Sequence, residues 1–165
     1  MPVQPIVLYR TSPRVLRRKS QPVRGGCASV RELVIDLKDT LLRHPTAVGL
    51  AAPQLGVHQR VCVVRLGGGR DEAPGVPLAV INPVIVEASC EQSDCEGCLS
   101  FPGFFAEIVR PHFLRLHAFD EHGQAFVWTL AGFDAVVVHH EIDHLDGILL
   151  IDRLAKTEKT SPQPP

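Results

Sequence analysis

Two histidines four residues apart, with a carboxylate directly after the first, are the part of this chain best suited to chemistry: His140-Glu141-Ile142-Asp143-His144. On an α-helix that spacing stacks both imidazoles on one face, where they can share a metal ion. Glu141 then reaches a water beside the metal without ligating it, the H-E-x-x-H arrangement in which the carboxylate is the general base. An amphipathic helix with a wet charged face would carry the same letters, but the flanks are apolar. Phe133 and Ala135 to Val138 precede the motif, and Leu145 and Ile148 to Ile151 follow it. A helix this apolar is buried, and ionisable groups buried with it need partners.

Two imidazoles leave a catalytic metal short of a third protein ligand. Cys98, in Cys95-Glu96-Gly97-Cys98-Leu99-Ser100, is the candidate, binding as thiolate. The Leu99 N–H beside it could donate to a developing oxyanion. The rival arrangement is a closed structural site of Cys95, Cys98, His140 and His144. It would leave Glu141 without a role, and the gap between the two pairs far exceeds that of a small zinc finger. A third segment, Val48-Gly49-Leu50-Ala51-Ala52-Pro53-Gln54, is rich in small residues that admit close backbone approach. Its Gln54 offers a neutral amide donor for a carbonyl oxygen.

Taken together, the three segments resemble the peptide deformylase family, marked by G-x-G-x-A-A-x-Q, then E-G-C-L-S, then Q-H-E-x-D-H. Glu96 to Ser100 matches the second intact; His140, Glu141, Asp143 and His144 match the third. The resemblance runs from about Ile6 to Leu154. Ala47 stands where the family usually has its first glycine, and His139 where it usually has glutamine. The resemblance implies removal of the formyl group from the N-terminal methionine of new polypeptides, with Cys98, His140 and His144 as ligands. It also implies Glu141 as proton carrier, and Gln54 with the Leu99 N–H on the oxyanion. Val48, Phe133, Val136 and Val137 would line a methionine pocket, with Gly49 and Gly97 pairing to the substrate backbone. Fe²⁺ is the implied metal, although a Cys/His₂ set also accepts Zn²⁺, Ni²⁺ or Co²⁺. Arg110 follows the Cys98 segment at the family's spacing and is the expected ion-pair partner of Asp143. Some relatives continue into a C-terminal helix that docks on the ribosome; this chain stops soon after Leu154, so a ribosome contact is expected without that helix, with the basic N-terminal segment as an electrostatic substitute. A zinc endopeptidase would share the histidine helix, and a non-catalytic metal-stabilised module would share the ligands; both stay open at this point.

The elements that must position these groups follow from pattern. At 165 residues, 45% hydrophobic and a formal charge of −1, the chain reads as one globular domain over 1–155 with a polar, proline-rich tail at 156–165 expected to be disordered. No apolar run approaches a membrane span, and the overall charge does not single out nucleic acid. Five cysteines, an odd count that includes a required thiolate, point to a reducing cytoplasm. Arg10, Arg14, Arg17, Arg18, Lys19, Arg24 and Arg31 make the first 31 residues basic without a single acid.

Ser29 to Arg43 predicts a helix, with Ser29 to Glu32 as a capping box and Val30, Leu33, Val34, Leu37 and Leu41 on one face. Arg60 to Leu66 predicts a strand ending in a mobile Gly67 to Gly69 loop. Short strands are expected at 78–81 and 84–87, either side of Asn82-Pro83. Phe113 to Phe119 and Gln124 to Thr129 predict a hairpin. Gly132 should open the histidine helix, Gly147 should sit just past its end, and Ile148 to Ile151 should form a buried strand. The expected class is α+β, with antiparallel or mixed sheets packed around the late helix.

Overall fold

A computed structural model describes residues 4–67 and 73–157. Its centre is a single antiparallel sheet of five strands in chain order: β1 (Gly49–Ala51), β2 (Val61–Val64), β3 (Leu78–Cys98), β4 (Phe101–Phe119) and β5 (Ala125–Ala131). Among the described residues four α-helices, α1 (Pro13–Leu16), α2 (Ala28–Leu42), α3 (Gly132–Leu145) and α4 (Leu150–Thr157), and a short 3₁₀ helix at Ala52–Leu55 accompany the sheet. Among the described residues no helix is long and apolar enough to cross a membrane.

Strand β2 shows why the sheet is covered twice. All four of its residues are buried, and period-2 alternation divides them between two cores. Val61 and Val63 meet Val30, Leu33, Val34, Leu37 and Leu41 of α2. Cys62 and Val64 join Ala135, Val137, Val138, Ile142 and Leu145 of α3. Each fully buried aliphatic side chain contributes about 1.5–3 kcal/mol relative to exposure, so α3 is held by its apolar bulk and its charged residues ride into the interior with it. On β4, Leu114, Leu116 and Ala118 are buried while Phe113, Arg115, His117 and Phe119 face out, the period-2 alternation of a strand with one covered face.

Several expectations need correction. Asn82-Pro83 does not separate two strands; β3 runs through both residues with its register shifted between Ile81 and Val84. Asn82 takes a left-handed φ of 50°, and its side-chain amide bonds both the N–H and the carbonyl of Val23. A tertiary partner thus converts a turn signal into a bulge. The capping box is absent: α2 starts at Ala28 with Cys27 as its cap residue and no side-chain cap bond, and Ser29 Oγ meets Cys27 Sγ at 3.4 Å. Gly147, at φ 72°, does end α3, but the run after it is no strand. Asp152 accepts the Leu149 N–H at 2.8 Å and α4 begins. Four apolar residues in a row are compatible with either element, and the capping carboxylate decides it. Lys156 and Thr157, assigned above to a disordered tail, lie in α4; residues 158–165 fall outside the described set, as do Gly68 and Gly69 of the expected loop.

Candidate metal centre

Three donors from two distant elements converge. Cys98 closes β3, while His140 and His144 lie one turn apart on α3. Their ligand atoms all lie within 4.8 Å of one another. Cys98 Sγ is 3.2 Å from His144 Nε2, and the two imidazole rings stand 5.0 Å apart at 67°. Cys95, three residues earlier on the same strand, is exposed and is not part of this group. Odd spacing on a strand turns it to the other face, which argues against a closed four-ligand site.

The donor chemistry suits a divalent ion of borderline softness, and three protein ligands leave a position open for water or substrate. Burial by itself would raise the Cys98 thiol pKa, but the His144 and His140 imidazoles hold it well below its ordinary range, favouring the thiolate that binds metals. For His140, burial disfavours the charge, yet hydrogen bonds with Cys98 and Glu96 push its pKa up to about 10. Glu96 Oε2 accepts from His140 Nδ1 at 2.7 Å. That bond leaves His140 Nε2 as the ligating nitrogen and fixes the ring's orientation.

Glu96 was not singled out from sequence as anything beyond a motif letter. The signal existed: it lies two residues before Cys98, hence on the same face of a strand. The carboxylate also ion-pairs with Arg110, which is 2% exposed. Arg110 Nη1 in turn donates to Asp143 Oδ2 at 2.7 Å, the pair expected above. Arg153 of α4 completes the chain with two bonds to Asp143, a contact that the expected strand at Ile148 to Ile151 gave no helix to carry. Burial works against both carboxylates, but His140 and Arg110 hold Glu96, and Arg153 and Arg110 hold Asp143, below their usual values.

Glu141 is buried beside the triad, and its Oε2 has no hydrogen-bond partner among the described residues. Burial lifts its pKa to about 6, with the imidazoles of His140 and His144 opposing. Its other oxygen packs so tightly against Gly49 that any Cβ there would overlap it. The Gln54 amide is fixed at both ends: Oε1 accepts from the Ala51 N–H at 2.9 Å, and Nε2 faces Ser100 Oγ at 3.2 Å and Cys98 Sγ at 3.6 Å. Leu99 packs its side chain with the α2 core, which pins the backbone next to Cys98, and Ala47 packs there too. Val48, Phe133 and Val137 come together on the α3 side. Val136 is buried but lies outside that cluster. Gly97 is exposed in register with Phe105, whose ring fills the space a Cβ would take. His139 is half-buried with Nδ1 unpartnered among the described residues; burial lowers its pKa to about 4, with Asp143 the main opposing charge and the Arg110 and Arg153 cations acting with burial. A surface depression of about 310 Å³ between Val84, His117, Phe119 and Val127 contains none of these groups.

Comparison with known proteins gives a consistent picture. Residues 3–160 match the family model described as polypeptide deformylase. A protein named peptide deformylase from Chlorobaculum parvum is 39% identical over 161 residues, covering 98% of this chain and 84% of that protein. The crystal structure of peptide deformylase from Thermotoga maritima superposes with a TM-score of 0.82 at 35% identity, covering 93% of this chain and 98% of that one. A class I type b peptide deformylase from Acinetobacter baumannii, solved with Met-Ala-Ser bound, gives a TM-score of 0.84 at 28% identity, covering 92% and 98%.

Proposed function

This chain belongs to the peptide deformylase family, and from that premise we propose how its residues divide the removal of the N-formyl group from new polypeptides. The reaction is a metal-dependent amide hydrolysis that releases formate and a free amino terminus. The observation that carries the assignment is Glu141, a carboxylate with an unpartnered oxygen and a pKa near 6, buried against a Cys98/His140/His144 donor set. Cys98, His140 and His144 would hold a divalent ion, which when bound would supply Lewis acidity toward the formyl oxygen and would lower the pKa of a neighbouring water from about 15.7 toward about 7.

The protein's own groups do the rest. Glu141 takes a proton from the attacking water as its oxygen bonds to the formyl carbon, and returns that proton to the amine nitrogen as the C–N bond breaks. A base with a pKa near 6 is well matched to both transfers at neutral pH. Gln54 Nε2 and the Leu99 N–H donate to the oxyanion; losing one such donor typically costs about 3 kcal/mol of transition-state stabilisation. Gln54 is suited to this because its carbonyl end is tied to Ala51, so the amide cannot flip. Glu96 holds His140 in one tautomer. Val48, Phe133, Val136 and Val137 form the wall for the methionine side chain, and Gly49 and Gly97 offer backbone to an incoming strand. That the A. baumannii relative is solved with Met-Ala-Ser bound supports a peptide beginning with methionine as the class of ligand.

In the cell we assign Fe²⁺ to the site, with Zn²⁺, Ni²⁺ and Co²⁺ as chemically acceptable replacements. The catalytic unit spans residues 1–155, acts in the cytoplasm, and meets its substrate as chains leave the ribosome. The direct test is formate release from formyl-Met-Ala by the metal-loaded chain. Turnover that is absent with formyl-Met-Ala, or cleavage of the Met–Ala bond instead, would overturn the assignment.

A further inference from the structure

The structure holds a second electrostatic feature that deformylation does not use. From Leu8 to Arg18 the backbone makes successive tight turns, through Ser12 N–H to Leu8 O, Arg17 N–H to Pro13 O and Arg18 N–H to Val15 O. Arg10, Arg14 and Arg18 recur along it at every fourth position, and all three are exposed. Arg14 lies on α1, and Arg18 follows two residues past its end, so both leave the same short, turned segment. The segment is anchored to the body of the protein. Leu16 is fully buried, His58 Nε2 bonds Val15 O at 2.9 Å, and the Ser20 N–H bonds Leu145 O at 2.8 Å. Within the segment Asp152 pairs with Arg17, and just beyond it Asp146 pairs with Lys19 and Arg60. Among the described residues no carboxylate pairs with Arg10, Arg14 or Arg18. In a chain of net charge −1 this leaves three exposed guanidiniums on an anchored backbone segment, without an acidic partner among the described residues.

We propose that this arginine ridge is a docking surface for the phosphate backbone of RNA. Arginine presents a planar fork of donors that matches phosphate oxygens two at a time. Its fully buried side chain, Leu16, packs inward, and what the segment turns outward is dominated by arginine, which suits phosphate better than the acyl region of a lipid surface. Its position also fits a substrate still attached to a ribonucleoprotein. The ridge begins next to the metal centre, where the Tyr9 N–H bonds Ser100 O at 3.0 Å and the Tyr9 ring stacks on Phe101 at 4.8 Å. The inference goes beyond the deformylase reading and stands on separate residues.

Fluorescence anisotropy of labelled polyuridylic acid with the full chain tests it. Three phosphate contacts on single-stranded RNA predict a log–log salt slope near −2, hence about 20-fold weaker binding at 200 mM than at 50 mM salt. The triple variant Arg10→Glu/Arg14→Glu/Arg18→Glu should bind at least 10-fold more weakly while its kcat/KM on formyl-Met-Ala stays within about twofold of the parent. No RNA binding by the parent, or equal binding by the variant, overturns the proposal. Tighter binding to vesicles containing phosphatidylserine than to RNA, lost in the variant, assigns the ridge to membranes and overturns it equally. Failure of both proteins to deformylate while ridge-dependent RNA binding persists would count against the deformylase reading alone.

Discussion

Arg110 and Arg18 are the same side chain in opposite settings. Arg110 is almost fully buried and spends its donors on Glu96 and Asp143, so that His140, Glu96, Arg110, Asp143 and Arg153 form one connected chain of charge. Arg18 lies in water, with no acid bonded to it among the described residues. The interior network makes almost nothing available to a ligand from outside; its charges fix the direction of a single imidazole. The exterior ridge fixes nothing inside and leaves its charge available. Burial therefore separates positioning from attraction, and the cysteines divide in the same way: Cys98 faces the histidines while Cys95 faces solvent.

The comparison can be broken most severely at the cysteines. Cys98→Ser should abolish metal-dependent activity, since a protonated hydroxyl is a poor ligand, while Cys95→Ser should retain most of it. Equal loss of activity and bound metal in the two would restore the closed four-ligand site. Next in size, Glu141→Gln should keep fold and metal and lower kcat by about 10² to 10⁴, measured at saturating formyl-Met-Ala. Near-normal turnover would remove Glu141 as proton carrier.

Arg110→Ala should destabilise the protein by about 3–5 kcal/mol in urea unfolding, because Glu96 and Asp143 would remain buried and under-compensated. Arg18→Ala, lacking any such partner, should stay within about 0.5 kcal/mol. Acid sharpens the same contrast. Glu96 and Asp143 have folded pKa values below their unfolded values of about 4, so the stability they contribute is full above that value. It should be lost as pH falls through their folded pKa values. Urea midpoints taken stepwise below pH 5 would follow it, and in Arg110→Ala the decline should begin at higher pH. Smallest of all, Asp152→Ala breaks only the half-exposed pair with Arg17 and the bond to the Leu149 N–H. A loss near 1 kcal/mol is expected, as for a helix cap.

Legibility in the sequence followed the range of the interaction. The α3 ligands, the outward and inward sides of β4 and the apolar face of α2 are periodic signals, and each could be read locally. The Asp143–Arg110 pair was reached through family spacing. What escaped was decided by partners far along the chain. Asn82 reads as a turn until Val23 is placed against it, and Leu149 to Ile151 reads as a strand until Asp152 caps the helix. Arg153 became a member of the network only once α4 existed to carry it. Glu96 was legible in principle through its period-2 relation to Cys98, but nothing local revealed that it faces His140.

Cys98 and His144 touch across 46 positions of sequence, and that separation has a kinetic consequence. No short loop closure can bring the donors together. The β3–β4 ribbon must zip, β5 must add to it, and α3 must fold back before an ion finds three ligands at once. Contacts of this separation form late, because the chain entropy of closing the loop is lost before they return anything. The complete donor set is therefore a property of the native state, and an ion that recognises it stabilises that state by mass action. At a free concentration one hundred times the dissociation constant the gain is about 2.7 kcal/mol. A metal held there would be retained by folded molecules and released by any that open.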